Sequence, residues 1–204
     1  LGHVTQYGYD AAGRQVTTTD PDGNVATTVY NSDGTVASTI DALGNTTSYT
    51  YDSLKRVVST TQPDGSSTVN SYDAAGNLIA VADALGNSTQ YEYDALGRLI
   101  KTTDALGGNT ENFYDENGRL IQTRDALGSA ITYAYDTRGQ LLSQTDALGN
   151  VTQYEYDTMG RRTAVVDPAG NRTTYVFDAL DRIVSSTNPN GVTTTTAYDA
   201  AGQV

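Results

Sequence analysis

Several residue types on which catalytic and metal sites depend are absent or nearly absent. The 204 residues contain no cysteine, no tryptophan, one methionine and one histidine, His3. Without cysteine there can be no disulfide, no thiolate nucleophile and no Cys-based zinc site. A single histidine cannot build a His-rich metal cage, and it offers at most one base for a Ser/His/Asp site. We therefore expect no enzyme activity and no cofactor in this chain.

Positive charge and long apolar runs are also scarce. Lysine and arginine total 12 against 24 aspartates and glutamates, which gives a net charge of −12. Because neutralising phosphates requires clustered lysine and arginine, this balance argues against a nucleic-acid partner. No stretch approaches the roughly 20 consecutive apolar residues of a membrane helix, so we expect no membrane span in this segment. Apolar residues make up 37%, below the roughly 45–50% of ordinary globular domains.

Tyrosine and glycine, by contrast, are abundant, and both follow a repeat of 21 residues. Nine of the 15 tyrosines open a Tyr-Asp pair or a close variant, and the other six lie two residues before such a pair. All glycines except Gly8 and Gly108 fall in two further columns. The sequence therefore predicts one continuous array over residues 1–204, with about nine repeats and no separate domain. The Tyr-Asp pair, or a close variant, begins without insertion or deletion at Tyr9, Tyr30, Tyr51, Tyr72, Tyr93, Tyr114, Tyr135, Tyr156, Phe177 and Tyr198.

Both ends of the chain fall inside a repeat. Leu1 and Gly2 occupy turn columns, and Val204 matches Leu99 at the start of a strand segment. Repeat arrays need caps for solubility, and an open strand edge favours aggregation. We therefore expect an array that is truncated in phase at both ends, whose partners are further copies of the same repeat, in the same chain or by self-association.

Residues 87–107 illustrate one unit. Tyr91 and Tyr93 alternate with polar residues, the period-2 pattern of a half-buried strand. An Asp that bonds its own backbone and a Gly free to take positive φ then predict a turn. A second strand follows from residue 98 to 103, and an Asp-Ala-Leu-Gly segment predicts a second turn. The structural positions of the unit are Tyr91, Tyr93, Asp94, Gly97, Arg98, Asp104 and Gly107.

The repeat predicts an all-β fold. A Gly or Pro recurs about every ten residues and disfavours helix, and such short connections favour antiparallel neighbours. We expect antiparallel β-hairpins, about eighteen strands in all, that wind into a spiral sheet, tube or shell. The alternative is a parallel β-solenoid with one coil per repeat, with a rise of about 4.8 Å per repeat against about twice that for hairpins. Two Asp-Gly turns per unit favour the hairpins.

The repeat resembles a known family. The segment Tyr-Glu-Tyr-Asp-Ala-Leu-Gly-Arg-Leu-Ile, from Tyr91 to Ile100, is similar to the consensus of YD repeats, also called RHS repeats. The partner segment Asp-Pro-x-Gly-Asn begins at Asp20 and again at Asp167. The resemblance covers the whole chain, and departures are local: Asn31 replaces the turn Asp, Lys55 and Asp181 replace the turn Gly, and Gln62 and Asn188 replace the second turn Asp.

The resemblance implies a large secreted or cell-surface protein in which hairpins wind into a spiral shell. Such shells enclose a toxin in bacterial RHS proteins and toxin complexes, which include polymorphic toxins, and they belong to adhesion receptors in teneurins. We therefore expect a non-enzymatic structural segment that forms the wall of an extracellular tube, filament or toxin-encapsulating cocoon, with toxin as a candidate cargo. The uninterrupted register favours a tube or filament.

The repeated carboxylates allow two competing interpretations. Paired carboxylates could catalyse glycoside hydrolysis, but recurrence at every turn favours turn capping instead. The segment from Asp20 to Asn24 echoes the start of a calcium loop, although its Gly comes early and Asn31 stands where a closing Glu belongs. Stacked Asp columns could still gather Ca²⁺ between repeats, and this is kept as an alternative to a chain without cofactors.

The tyrosine and arginine columns also allow two interpretations. Aromatic ladders can stack sugar rings, which would make the chain an adhesin segment that binds surface glycans. Tyrosine at alternate strand positions is more often a wall or core face. Arginine opens the second strand in six repeats, where we expect it to pair with a nearby Asp or Glu. These arginines are Arg14, Arg56, Arg98, Arg119, Arg161 and Arg182.

Overall fold

The computed structural model describes residues 4–204, which form nineteen β-strands and no helix. In the part of the chain that is described, no helix is thus long and apolar enough to cross a membrane. The chain divides into two compact units, one ending at Gly108 and one beginning at Asn109.

The first unit is an antiparallel meander of ten strands. Each strand pairs with the next one in sequence. The strands are β1 (Gln6–Tyr9), β2 (Gln15–Thr19), β3 (Val25–Tyr30), β4 (Val36–Ile40), β5 (Thr46–Tyr51), β6 (Val57–Thr61), β7 (Ser67–Tyr72), β8 (Leu78–Ala82), β9 (Ser88–Tyr93) and β10 (Leu99–Thr103).

The second unit repeats this arrangement with nine strands, again paired antiparallel and in sequence order. The strands are β11 (Asn109–Tyr114), β12 (Leu120–Arg124), β13 (Ala130–Tyr135), β14 (Leu141–Thr145), β15 (Val151–Tyr156), β16 (Arg162–Val166), β17 (Arg172–Phe177), β18 (Ile183–Thr187) and β19 (Thr193–Thr195).

These pairings confirm the predicted fold class of antiparallel β-hairpin repeats. A parallel solenoid is not what the strands form, because within each unit every described pairing is antiparallel. The two strands predicted from residues 87 to 93 and 98 to 103 are present, but they begin one residue later, at Ser88 and Leu99. Asn87 belongs to a turn, where its backbone N–H donates to Asp83 Oδ1 at 2.8 Å. Arg98 likewise donates its backbone N–H to Asp94 Oδ1 at 3.0 Å.

The sheet of each unit is a single layer. Within a unit, strands contact only their neighbours in sequence. Ala164 is the one fully buried apolar residue of the described chain, and most other strand residues are half-buried. Ordinary domains bury a core between two layers. The low apolar content therefore reflects a sheet that is held together within its own plane.

Two kinds of turn alternate along the meander, and they share one backbone geometry. Tyr-Asp turns, such as residues 10–14, follow the Tyr-Asp pairs, and linker turns, such as residues 20–24, connect one repeat to the next. In both kinds the backbone N–H of the first residue donates to the carbonyl four residues on, and the N–H of the Gly donates back to the carbonyl of the first residue. In the Tyr-Asp turn of Asp10 these two N···O distances are 2.9 and 3.0 Å, and in the linker turn of Asp20 both are 3.0 Å. This is the three-residue hairpin loop that needs positive φ at its last position.

The positive φ is kept even where glycine is missing. Gly13 has φ 76° and Gly23 has φ 86°, while Lys55 and Asp181 adopt φ 62° and 60° at the equivalent position. A side chain in this region costs roughly 1–2 kcal/mol. The repeat geometry thus dominates local preference at these two positions.

The two kinds of turn differ in the strand pairing beside them. Every described hairpin closed by a Tyr-Asp turn has a register shift: Tyr156 pairs with Arg162 and Glu155 with Ala164, which leaves Thr163 without a partner on β15. The linker turn between β16 and β17 leads into a regular ladder, with Val166 opposite Arg172. The shift is a β-bulge, and it explains why two adjacent apolar residues, such as Leu99 and Ile100, open the second strand of a repeat.

Candidate functional site

The predicted repeat positions form two separate groups at opposite ends of the strands. Tyr91, Tyr93, Asp94, Gly97 and Arg98 lie at a Tyr-Asp turn, as the last residues of β9 and the loop after it. Gly97 has φ 76° and its N–H donates to the Asp94 carbonyl at 3.0 Å. The other two positions, Asp104 and Gly107, form the next linker turn.

At that linker turn, Asp104 caps the loop through its own side chain. Its Oδ1 accepts the backbone N–H groups of Leu106 at 2.9 Å and Gly108 at 2.8 Å. Gly107 has φ 85° and closes the loop with a bond to the Asp104 carbonyl at 3.0 Å. The arrangement satisfies backbone donors that would otherwise need water, which is the capping role expected of a turn aspartate.

In seven repeats the tyrosine of the Tyr-Asp pair joins its repeat to the one before it. Its hydroxyl donates to a backbone carbonyl 15 residues earlier, at 2.8–3.1 Å. The acceptor is the first residue of the bulge, where the strand ladder is disrupted and a carbonyl becomes available. The pairs are Tyr30 with Gln15, Tyr51 with Val36, Tyr72 with Val57, Tyr93 with Leu78, Tyr135 with Leu120, Tyr156 with Leu141, and Tyr198 with Ile183.

The arginine column makes a second connection between repeats. Arg161 donates from Nε to Asp157 Oδ2 of its own turn at 2.7 Å. Its guanidinium lies 5.1 Å from the ring centre of Phe177 in the next repeat and donates to the Asp178 carbonyl there at 3.0 Å. A cation over an aromatic face contributes roughly 0.5–1 kcal/mol at exposed sites. The same stacking occurs for Arg14 on Tyr30, Arg56 on Tyr72, Arg119 on Tyr135 and Arg182 on Tyr198, at 4.4–5.2 Å.

The sequence predicted the ion pair of this arginine but missed its aromatic partner. Arg14, Arg56 and Arg161 do pair with the aspartate of their own turn, as expected. The stacking partner lies 16 residues later in each case. The signal was present as the constant spacing between the arginine and tyrosine columns. Spacing alone could not show that the two columns lie face to face on neighbouring hairpins.

Hydrogen bonding lowers the pKa of the turn carboxyls. The pKa of Asp157 lies below its usual range because the Arg161 backbone N–H, and then its side chain, donate to the carboxylate. The pKa of Asp167 is lowered chiefly by the Asn171 side chain and then by its backbone N–H. A carboxyl that acts as a general acid at neutral pH needs a raised pKa instead. These groups are therefore suited to turn capping.

The calcium hypothesis has no support from the carboxylate geometry. In residues 4–204 no three His, Cys, Asp or Glu side chains are grouped as metal ligands. At Asp20, Oδ1 accepts the backbone N–H groups of Asp22 and Asn24, and Oδ2 accepts the Asn24 side-chain amide at 2.8 Å. Calcium binding stays a prediction. His3 and the turn residues Leu1 and Gly2 lie outside the described residues.

Comparison with known proteins places the chain among shell-forming repeats. The family described as Teneurin YD-shell matches residues 29–204, and the family described as RHS Repeat matches residues 1–25. Among solved structures, the crystal structure of TcdB2-TccC3 is similar with a TM-score of 0.59 and 18% identity, covering 90% of this chain and 12% of that chain. The Photorhabdus luminescens Tc holotoxin pore is similar with a TM-score of 0.54 and 16% identity, covering 97% and 15%.

The chain thus spans only a small part of the solved chains that it matches. At this identity the likeness extends to the fold alone. The comparison with curated proteins gives no match.

Proposed function

Because the chain belongs to the Teneurin YD-shell family, we propose that it forms a length of β-sheet wall in a larger shell outside the cell. The observation that carries this proposal is the single-layer sheet whose repeats are joined by the same tyrosine and arginine contacts. Such a sheet separates two sides without needing a core of its own. We propose a structural role for the repeat, without enzyme activity.

The wall proposal accounts for the distribution of exposed groups. Both sheet faces remain partly exposed in each unit, and large apolar residues such as Val69, Leu142 and Val176 lie on them. In a shell, these faces would contact enclosed material on one side and solvent or other shell elements on the other. The partners of the segment are then further repeats and an enclosed cargo, which for the Tc-type relatives would be a toxin component.

The regular 21-residue register supports a tube or filament in preference to an irregular closed shell. Each hairpin adds two strands, so consecutive repeats advance by about 10 Å along the wall. A constant advance without insertions generates constant curvature. A toxin-enclosing cocoon would be built from the same wall closed by other elements.

Electron microscopy of the full-length protein that contains this segment tests the proposal. The expected result is a curved or tubular β-wall with hairpins spaced by about 10 Å. Compact particles in which these residues form no curved or tubular sheet would overturn it. Protease accessibility of the segment on intact cells, compared with a cytosolic marker, tests the location outside the cell.

Glycan binding is a second candidate, favoured by one observation. In the described part of the chain, the hydroxyls of Tyr91, Tyr133 and Tyr154 make no hydrogen bond, so they could serve a ligand. Against it, arginine already covers the rings of several tyrosines in the neighbouring column, Tyr135 among them. A glycan array that shows binding to the native chain and loss with Tyr91→Ala and Tyr93→Ala would support this function, whereas silence across a broad array removes it.

A further inference from the structure

Five repeats show how the fold holds a guanidinium group. In the repeat of Arg161, three groups receive it: the Asp157 carboxylate at 2.7 Å, the Phe177 ring at 5.1 Å and the Asp178 carbonyl at 3.0 Å. The repeat of Arg119 holds its arginine in the same way. The three receiving groups belong to the turn and strand scaffold, so they persist in a repeat that lacks the arginine.

The repeat that begins at Asp136 is such a case, because Gln140 stands in the arginine column. Asp136 Oδ1 accepts the backbone N–H groups of Arg138 and Gln140 at 2.8 and 2.9 Å. Within residues 4–204, Oδ2 of Asp136 has no hydrogen-bond donor, and no cation covers the Tyr156 ring. The Asp157 carbonyl occupies the third position, and it accepts only the N–H of its own turn glycine, Gly160.

A shallow groove of about 430 Å³ marks this position. Asp136, Gln140, Tyr154, Tyr156 and Asp157 line it together with two further charged residues. These are Glu155 and Arg138, whose guanidinium donates to the Thr158 carbonyl at 3.1 Å. The Gln140 amide extends over the next turn, where its Nε2 lies 3.1 Å from the position of a Cβ on Gly160. It makes no side-chain hydrogen bond in the described chain, so a ligand can displace it without breaking one.

A related groove in the first unit shows why the Gln140 position is the more complete one. It lies around Tyr93, where Asn77 occupies the arginine column. There the Asn77 side-chain amide donates to Asp73 Oδ2 at 2.9 Å, so the carboxylate oxygen already has its partner. In the repeat of Thr35 the carboxylate is missing altogether, because Asn31 replaces the aspartate.

We propose that the groove at Gln140 binds the guanidinium group of an arginine side chain from another polypeptide. The Asp136 carboxylate accepts its N–H groups, the Tyr156 ring stacks against its plane, and the Asp157 carbonyl accepts a third N–H. A planar guanidinium satisfies all three at once, whereas the compact ammonium of lysine does not. The net charge of −12 also favours a cationic partner.

The test is an NMR titration of the 204-residue chain with N-acetyl-arginine amide, observing the Tyr156 ring and the Asp136 carboxyl carbon. Both signals should shift together and saturate in the millimolar range, as expected for one exposed contact of this kind. N-acetyl-citrulline amide has nearly the same shape without the charge and should produce no saturable shift. Equal shifts with citrulline, or none with arginine, would overturn the proposal.

Two variants at one residue distinguish the site from general electrostatic attraction. Gln140→Arg supplies the guanidinium from within the chain and should weaken binding of the probe by at least about tenfold, a change of about 1.4 kcal/mol. Gln140→Ala leaves the three receiving groups in place and should bind at least as tightly as the native chain. Binding that is unchanged in Gln140→Arg would refute the site.

A matched variant in the next repeat tests whether the scaffold alone makes the site. Arg161→Gln uncovers the Phe177 ring and should create a second probe site there, with shifts at Phe177 and Asp157. If the folded variant, checked by its amide spectrum, gains no such site, the three groups do not suffice and the proposal fails. The outcome is independent of the wall function, because it concerns one groove and a small probe.

Discussion

The turns at the two ends of the strands share one backbone geometry, yet the tyrosine and arginine contacts between repeats lie only at the Tyr-Asp turns, here called the Tyr-Asp edge, and not at the linker turns, the linker edge. At the linker edge, Asp167 bonds the backbone and the Asn171 side chain within its own loop. At the Tyr-Asp edge, Asp157 bonds its loop in the same way, but its partner Arg161 continues into the next repeat. Closing a hairpin and attaching it to its neighbour are therefore separate tasks, and the second is concentrated at one edge.

The bulge accounts for the difference. It follows only the Tyr-Asp turns, and its first residue offers the carbonyl that a tyrosine of the next repeat binds, as Leu120 does for Tyr135. The linker edge has a regular ladder, and its loop tips carry exposed leucines, as the Tyr-Asp loops at Leu96 and Leu180 also do. Leu106, Leu127 and Leu148 are 88–96% exposed and contribute little to the array by themselves.

The largest expected difference between the two edges is in local stability when a large side chain is truncated to alanine. Tyr135→Ala loses a half-buried ring, its hydrogen bond to the Leu120 carbonyl and the Arg119 stack. The free energy of local opening should fall by about 2 to 3 kcal/mol. Leu148→Ala, at an exposed loop tip, should change it by less than about 0.5 kcal/mol.

Native-state hydrogen exchange of the β12 to β14 amides measures this opening free energy in each variant. It suits a repeat array, in which unfolding is not all-or-none. Equal losses in the two variants would mean that the edges contribute alike and that the concentration of contacts at one edge has no energetic meaning.

Glycine substitutions should destabilise the two edges equally, because both kinds of turn need positive φ at the same position. Gly139 and Gly149 have φ 85° and 84°, and a Cβ added to either would meet no atom at close range, the nearest being Arg119 Cδ at 3.9 Å from Gly139. Gly139→Ala and Gly149→Ala should each reduce the opening free energy by about 1 to 2 kcal/mol, the cost of left-handed backbone. A much larger loss at Gly139 would indicate that the Tyr-Asp loop is strained in some further way.

A single hydroxyl isolates the contribution of the tyrosine bond. Tyr135→Phe removes only the donor to the Leu120 carbonyl and should lower the opening free energy by about 1 kcal/mol. Tyr133→Phe is the matched control, since its hydroxyl makes no hydrogen bond in residues 4–204, and it should be neutral. Similar exchange rates in both variants would contradict a structural role for the hydroxyl bond.

The local elements were accessible from sequence, whereas the contacts between repeats were not. The alternation around Tyr91 and the Asp94 and Gly97 signals predict strands and turns because those preferences act over a few residues. The bulge depends on pairing between strands, so the adjacent Leu99 and Ile100 indicate only a strand start. The guanidinium site at Gln140 requires knowing which aromatic ring faces the arginine column, and that is a property of neighbouring hairpins.

The smallest difference between the edges lies in how their carboxyls respond to salt. The pKa values of Asp157 and Asp167 are both lowered, so each contributes stability that is present above the unfolded pKa and is lost as the pH falls through the folded pKa, below about pH 4. Part of the effect at Asp157 comes from the charge of Arg161, whereas Asn171 beside Asp167 is neutral. About 1 M NaCl screens the charge but not the hydrogen bonds.

Carboxyl ¹³C titrations at low and high salt should therefore show a rise in the pKa of Asp157 and a smaller one for Asp167. Equal rises at the two residues would mean that the arginine acts at its own turn only as a hydrogen-bond donor, and that its charge matters chiefly where it stacks on the next repeat.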